Sequence, residues 1–138
     1  MIKRLLFKVT PENTLKNEAT MTALRVVAGL SMAALHGSGK VPPSDQLIQG
    51  VSAMGFPMPV LFAWLAGLAE LLGGLFLAVG FLTRPSAFFV AFTMLVAAFG
   101  KHLNDPFDVK ELSLLYLVIA LIFVARGASR WSVDKFIK

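Results

Sequence analysis

A single apolar stretch, residues 57–82, constrains this chain more than any other feature of its sequence. It reads PMPVLFAWLAGLAELLGGLFLAVGFL and carries one ionisable residue, Glu70, near its middle. A membrane-crossing helix needs about 20 residues, so this stretch is long enough to span a bilayer. A carboxylate at that depth is costly unless it is paired, neutralised or beside a wet cavity. The sequence therefore predicts a transmembrane helix in which Glu70 forms either an internal ion pair or a functional site.

The composition of the whole chain indicates a membrane protein. Hydrophobic residues make up 57% and charged residues 15% of the 138 residues, whereas a soluble domain has about 25% charged residues. The mean hydropathy is +0.73. We expect one transmembrane domain over residues 1–138, because the chain is too short for a second domain. The absence of cysteine excludes disulfides, thiolate metal ligands and dithiol redox chemistry within this chain.

Four segments are predicted as membrane spans, and the expected fold class is all-α, an integral membrane four-helix bundle. The spans are residues 19–37, 57–82, 85–103 and 109–126. Lysine and arginine are retained on the cytoplasmic side, so their distribution predicts the orientation. With both termini inside, the outer side holds only Lys40, Lys101 and Lys110. The inner side then holds the other ten basic residues: Lys3, Arg4, Lys8, Lys16, Arg25, Arg84, Arg126, Arg130, Lys135 and Lys138.

The excess of positive charge indicates a phospholipid partner. An isoelectric point of about 9.9 would suggest nucleic acid for a soluble protein, but here the charge flanks apolar spans. The inner-leaflet phospholipid is therefore the expected partner, and no nucleic acid is predicted. Two terminal segments, IKRLLFKV at residues 2–9 and RWSVDKFIK at residues 130–138, are predicted to lie on that membrane surface.

Polar residues within the first two spans predict how those spans pack. Helical spacing places each of two sets on one helix face: Arg25, Gly29, Met32 and His36, and then Ala63, Gly67, Glu70 and Gly74. The small residues of the second set would let another helix approach closely, so Glu70 is expected to face a neighbouring helix. One interpretation is a structural ion pair between Arg25 and Glu70. The other is that Glu70 titrates or binds a ligand while Arg25 tunes it.

A second polar group is predicted toward the outer membrane face. Three spans and the segments beside them contribute to it: His36, Lys40, Lys101, His102, Glu111 and Tyr116. These side chains would line an outward-opening pocket above Glu70, in which imidazole suits proton transfer. The alternative is that they are interfacial residues present for solvation alone. His36 and His102 lack a metal-binding spacing such as HExxH, so no metal site is predicted.

The order of these motifs resembles the DoxX family of small bacterial four-helix membrane proteins. The stretches that carry the resemblance are LRVVAGLSMAALHGSGK, LAGLAELLGGLFLAVGFLTR, GKHL and ELSLLYLVIALIFVARGASRWSVDK, within residues 22–135. The resemblance implies a bacterial inner-membrane protein with four transmembrane helices. Its motif positions fall on Arg25, His36, Gly37, Lys40, Glu70, His102, Glu111 and Tyr116. Some relatives are named for a link to a thiosulfate:quinone oxidoreductase, and others are associated with redox complexes or with resistance to quinones and catechols.

Three functions remain open at this point. The first is a subunit of a quinone-linked redox system that binds a quinone-like amphiphile in the outward-facing pocket. In it, Glu70, His36 and His102 would have catalytic roles, and Arg25, Lys40, Glu111 and Tyr116 would bind the ligand. The second is a non-catalytic membrane anchor or assembly partner of an oxidoreductase complex. The third is a small transporter or efflux component, for which a homodimer would supply the repeat that one four-helix unit lacks.

Overall fold

The computed structural model describes residues 14–137, which fold almost entirely into helices. The four long helices are α1 (Leu15–Ser31), α3 (Pro59–Val79), α4 (Thr83–Val96) and α5 (Phe107–Arg126). The two short ones are α2 (Asp45–Ala53) and α6 (Asp134–Ile137). A π turn, Met32–Gly37, and a 3-10 turn, Ser38–Lys40, extend α1, and a second π turn, Ala97–Lys101, extends α4. The amphipathic segment predicted at residues 2–9 lies outside the described residues.

Three helices in the described part of the chain are long and apolar enough to cross a membrane. They are Leu15–Lys40, Pro59–Val79 and Thr83–Lys101, so three of the four predicted segments are helices of the required length and apolarity, with small shifts in their bounds. The third begins at Thr83 rather than Pro85, because proline is tolerated anywhere in a first turn that lacks intrahelical N–H partners. Helix α5 is also long enough, with 20 residues, but each run of 18 residues within it holds three charged residues. It is therefore less apolar than these three helices and is not counted with them.

The long helices form a ring in the order α1, α3, α4 and α5, and α5 touches α1 again. One buried cluster lies between α1, α4 and α5, and consists of Met32, Val90, Ala91, Met94 and Ala120. A second lies among α3, α4 and α5, and consists of Leu77, Ala87 and Phe123. Large apolar side chains such as Phe88 and Phe92 are about half exposed on the outside of the ring. An apolar exterior around a packed interior is the arrangement expected of helices in lipid.

Glycines bring α1 and α3 into backbone contact. A Cβ atom added to Gly29 would lie 2.6 Å from backbone atoms of Gly74 and Ala78. One added to Gly37 would overlap the backbone of Leu71. These contacts make the two helices antiparallel and confirm that the small-residue stripe predicted on the second span faces a neighbouring helix. Side chains larger than hydrogen at these positions would force the helices apart.

The chain after α5 folds back over one end of the bundle, and we call residues 127–137 the C-terminal strap. Gly127 ends α5 with φ of +79°. The strap then bonds to the end of α3, where Val133 N–H donates to Val79 O at 3.2 Å and Asp134 N–H donates to Gly80 O at 2.8 Å. The sequence predicts only a surface segment here. The structure adds that the strap is part of the tertiary packing.

Candidate functional site

The buried carboxylate that dominates the sequence is held by a lysine. Lys40 Nζ donates to both Glu70 Oε1 and Oε2, at 2.7 Å each. The Glu70 side chain is 1% exposed, whereas the Lys40 side chain is 34% exposed. The ion pair therefore neutralises the carboxylate inside the bundle while its ammonium group stays accessible from outside.

The local sequence explains why Lys40 can reach Glu70. The π turn and the 3-10 turn carry the end of α1 along α3, and the backbone at Lys40 passes directly over Gly67, one turn from Glu70. A Cβ atom at Gly67 would lie 2.6 Å from the Lys40 carbonyl oxygen. Gly37 provides a similar close contact one turn earlier. π turns inside helices frequently occur at functional sites.

His36 and Tyr116 form the second contact among the predicted site residues. Their rings meet edge to face, with centroids 5.4 Å apart and planes inclined by 76°. Both side chains are partly buried, and Tyr116 also packs against the cluster between α1, α4 and α5. This contact joins α1 to α5, and it lies one turn of α1 before Lys40.

The remaining residues of the predicted outer pocket are not drawn into this arrangement. His102 Nδ1 pairs with Asp105 Oδ2 at 2.7 Å, within its own turn. Glu111 is exposed and has no bonded partner within residues 14–137. Lys110 donates to the Leu103 carbonyl at 2.9 Å, across the connection between α4 and α5. Among residues 14–137, no group of three or more histidine, aspartate or glutamate side chains is arranged to hold a metal ion.

The predicted ion pair between Arg25 and Glu70 is wrong. Arg25 is 1% exposed, and its guanidinium donates to the carbonyls of Leu77, Ala78 and Trp131 at 2.8, 2.6 and 2.6 Å. Leu77 lies two turns beyond Glu70 on α3, about 10 Å along the axis. Because the last carbonyls of a helix lack intrahelical donors and carry partial negative charge, a guanidinium at the same level binds them instead.

Glu18 and Arg126 were not predicted as site residues, yet they close the end of the bundle at which Arg25 binds the last carbonyls of α3. Glu18 accepts hydrogen bonds from Arg126 Nη2 at 2.8 Å and from the Arg130 backbone N–H at 2.7 Å. Thr22 and Ser129 hydroxyls bond to each other at 2.7 Å. The start of α1 is therefore tied to the end of α5 and to the C-terminal strap. No motif in the sequence marks these contacts, since the partners are more than a hundred residues apart.

Asp134 of the strap caps the start of α4. Its Oδ1 accepts from the Leu82 N–H at 2.7 Å, and its Oδ2 accepts from the Thr83 N–H at 2.9 Å. Burial acts to raise the pKa of Asp134, but hydrogen bonds from Thr83 and Leu82 and the charge of Arg25 outweigh burial. The net effect holds the pKa of Asp134 below its ordinary value.

We expect the stability of the protein to fall in acid partly through Asp134. Because folding lowers the pKa of Asp134, its carboxylate stabilises the fold above the unfolded pKa of about 3.9. This contribution is lost as the pH falls through the lower folded pKa. Melting temperatures between pH 3 and pH 7 should therefore fall less steeply in Asp134→Asn than in the wild type. Asp45 is exposed, so Asp45→Asn is the control. A dependence of melting temperature on pH that is unchanged in Asp134→Asn but flattened in Asp45→Asn would contradict the expectation.

A cavity in the described part of the chain lies at the strap end of the bundle. It has a volume of about 680 Å³ and runs between residues 81–85 and residues 126–137. None of the predicted site residues lines it. We call it the basic groove, because four of its lining residues are cationic: Arg84, Arg126, Arg130 and Lys135.

Comparison with known proteins identifies relatives for most of the chain. The DoxX family model matches residues 20–103. A protein of Haemophilus influenzae, described as uncharacterized, is 36% identical over 124 residues, covering 83% of this chain and 89% of the relative. Inner membrane protein YphA of Escherichia coli is 33% identical over 72 residues, covering 51% of each chain. No solved structure matches significantly.

Proposed function

This chain belongs to the DoxX family, and we propose that it binds a small quinone-like amphiphile beside the Lys40–Glu70 pair, as a subunit of a quinone-linked redox system. The observation that carries this proposal is the asymmetric exposure of the pair, with Glu70 at 1% and Lys40 at 34%. A ligand can reach the ammonium without first opening the bundle.

The hydrogen-bonding capacity of the pair favours a ligand with a carbonyl or hydroxyl group. An ammonium has three N–H donors, and the two Glu70 oxygens occupy two of those on Lys40. The third donor is free for a ligand oxygen. Oxidation of a bound quinol to a quinone releases two protons and two electrons. Glu70 accepts one proton, the second passes to water on the exposed side of Lys40, and both electrons pass to a redox cofactor of a partner oxidoreductase. His36, one turn before Lys40, supplies a second polar contact.

We further propose that α5 is the fourth membrane span and that both termini are cytoplasmic. The charges of α5 are confined to its two ends, which leaves residues 112–125 without any. Such a run is about 21 Å long, and end residues such as Lys110 and Arg126 extend their charged groups toward water. The ten-to-three distribution of basic residues supports the orientation. The name of the Escherichia coli relative supports the inner membrane as the location.

Mass spectrometry of molecules that co-purify with the protein tests the proposed ligand. We expect a quinone or related amphiphile with the wild type in mild detergent, and its loss in Lys40→Met/Glu70→Leu. Replacing a whole buried ion pair with apolar residues usually leaves a fold intact, so the loss reports on binding. The single variant His36→Phe preserves the ring contact with Tyr116 but removes the proposed polar contact with the ligand. It should therefore weaken retention of the ligand without affecting the fold.

The matched control is Glu18→Gln/Arg126→Gln, which removes an ion pair from the other end of the bundle and should leave the ligand bound. Equal retention by the wild type and by Lys40→Met/Glu70→Leu would overturn the proposal. A second candidate, a non-catalytic anchor or assembly partner of an oxidoreductase complex, is favoured by the fact that the buried Glu70 and Arg25 are already bonded, by Lys40 and by backbone carbonyls respectively. A ligand-free wild type that co-purifies with an oxidoreductase would support this candidate.

A further inference from the structure

We propose that the basic groove binds the phosphate group of an anionic phospholipid, with the acyl chains running along α4. This site lies beyond the C-terminal end of α3, whereas the Lys40–Glu70 pair lies at the middle of that helix, and it is independent of the proposed quinone-like ligand. The inference concerns a defined headgroup site rather than general attraction of a basic protein to the membrane.

The charge balance of the groove favours an anion. Its one carboxylate, Asp134, is occupied by two backbone N–H groups and interacts with Arg25. Arg126 is paired with Glu18. Arg84 and Lys135 are thus left without a carboxylate partner within residues 14–137, and Arg130 interacts with Glu18 without forming an ion pair. All three side chains are exposed. Arg84 Nη2 has a single long bond, to Ala125 O at 3.3 Å, so most of its donors are free.

The backbone geometry holds these cations in place. The Arg84 side chain packs over Gly127, where an added Cβ atom would lie 3.0 Å from its Nε. The strap that carries Arg130 and Lys135 is fixed by the bonds from Val133 and Asp134 to the end of α3. The cations therefore belong to a folded surface rather than to a loose tail, so less conformational entropy is lost when an anion binds.

The surroundings of the groove distinguish a lipid headgroup from a soluble anion. The groove opens where α4, a helix apolar enough to cross the membrane, begins at Thr83. Arg84, Phe88 and Phe92 follow at four-residue spacing and so share one helix face. Phe88 and Phe92 are 54% and 51% exposed. A headgroup at Arg84 would thus place its acyl chains against these rings, whereas a soluble phosphate would leave them uncovered.

Native mass spectrometry of the detergent-solubilised full chain, titrated with dioleoyl phosphatidylglycerol or dioleoyl phosphatidylcholine, tests the proposal. We expect preferential binding of phosphatidylglycerol. One basic residue near an anionic surface contributes about fivefold in affinity, so Arg84→Gln/Lys135→Gln should lose about 25-fold. The control is Lys101→Gln/Lys110→Gln, which removes the same charge at the opposite end of the bundle. Lys101 lies at the far end of α4 and Lys110 at the start of α5, so this variant should bind as the wild type does.

Melting temperatures verify that each variant is folded, and Arg130→Gln alone replaces the double variant if the latter unfolds. Equal binding of the two lipids by the wild type would overturn the proposal, as would equal losses in the groove and control variants. Displacement of phosphatidylglycerol by 10 mM inorganic phosphate would overturn the lipid assignment and make the groove a site for soluble phosphate. Resistance to phosphate, with the expected loss in Arg84→Gln/Lys135→Gln, would support it.

Discussion

Lys40→Met is expected to destabilise the protein by about 3–5 kcal/mol, the cost of removing one partner from a buried ion pair. The carboxylate of Glu70 would remain 1% exposed inside an apolar bundle without its only bonded cation in the described part of the chain. The free energy of unfolding, measured by titration with a denaturing detergent, gives this loss directly. A large drop is expected even though Lys40 itself is partly exposed, because the penalty falls on Glu70.

A double-mutant cycle separates the ion pair from other effects of these residues. Lys40→Met/Glu70→Met removes both charges and should recover most of the stability, because an apolar replacement of a buried pair is often neutral or stabilising. The matched control is Lys101→Met, which removes an exposed lysine from the last position of the π turn that extends α4. If Lys40→Met were no more harmful than Lys101→Met, the ion pair would not be a feature of the folded protein.

Gly37→Ala is expected to have the second large effect, a loss of about 3 kcal/mol from the overpacking of one methyl group. The methyl would overlap the backbone of Leu71 and approach the Glu70 carbonyl carbon to 2.7 Å. Backbone atoms cannot rotate away as a side chain can, so α1 and α3 must separate. That separation would also lengthen the contact between Lys40 and Glu70, so retention of the proposed ligand should fall along with stability.

Gly50→Ala is the control for this prediction, since it adds the same methyl group to a helix where nothing lies within 4 Å. Alanine is favoured over glycine inside a helix by about 1 kcal/mol, so Gly50→Ala should be neutral or slightly stabilising. Equal unfolding midpoints for Gly37→Ala and Gly50→Ala would show that α1 and α3 are not in backbone contact at this position.

Composition and helical periodicity were sufficient to predict much of the membrane architecture. The all-helical fold, three apolar spans and the stripe that turns Glu70 toward another helix follow from local sequence, since each depends on the spacing of residues within one helix. Helix α2 was not predicted, because its nine residues are too few and too polar to stand out beside the membrane spans.

The partner of Glu70 shows where such reasoning ends. Arg25 lies within the first predicted span and Lys40 lies just beyond it, and the sequence favoured Arg25 because it lies on a predicted buried face. The sequence did contain a signal for Lys40, since Gly37 and Gly67 each lie three residues before one member of the pair. That signal acquires meaning only once α1 and α3 are known to be antiparallel and in backbone contact.

A helical membrane protein with one deeply buried carboxylate can be predicted from the sequence alone, because hydrophobicity and periodicity act within single helices. The pairing of Lys40 with Glu70, the binding of Arg25 to the end of α3, and the closure of the bundle by the strap beside a basic groove emerge only from the packed fold. These contacts join residues from distant parts of the chain. Their geometry depends on the relative shift of packed helices, which is set by glycine contacts and by the competition of several polar groups for each partner.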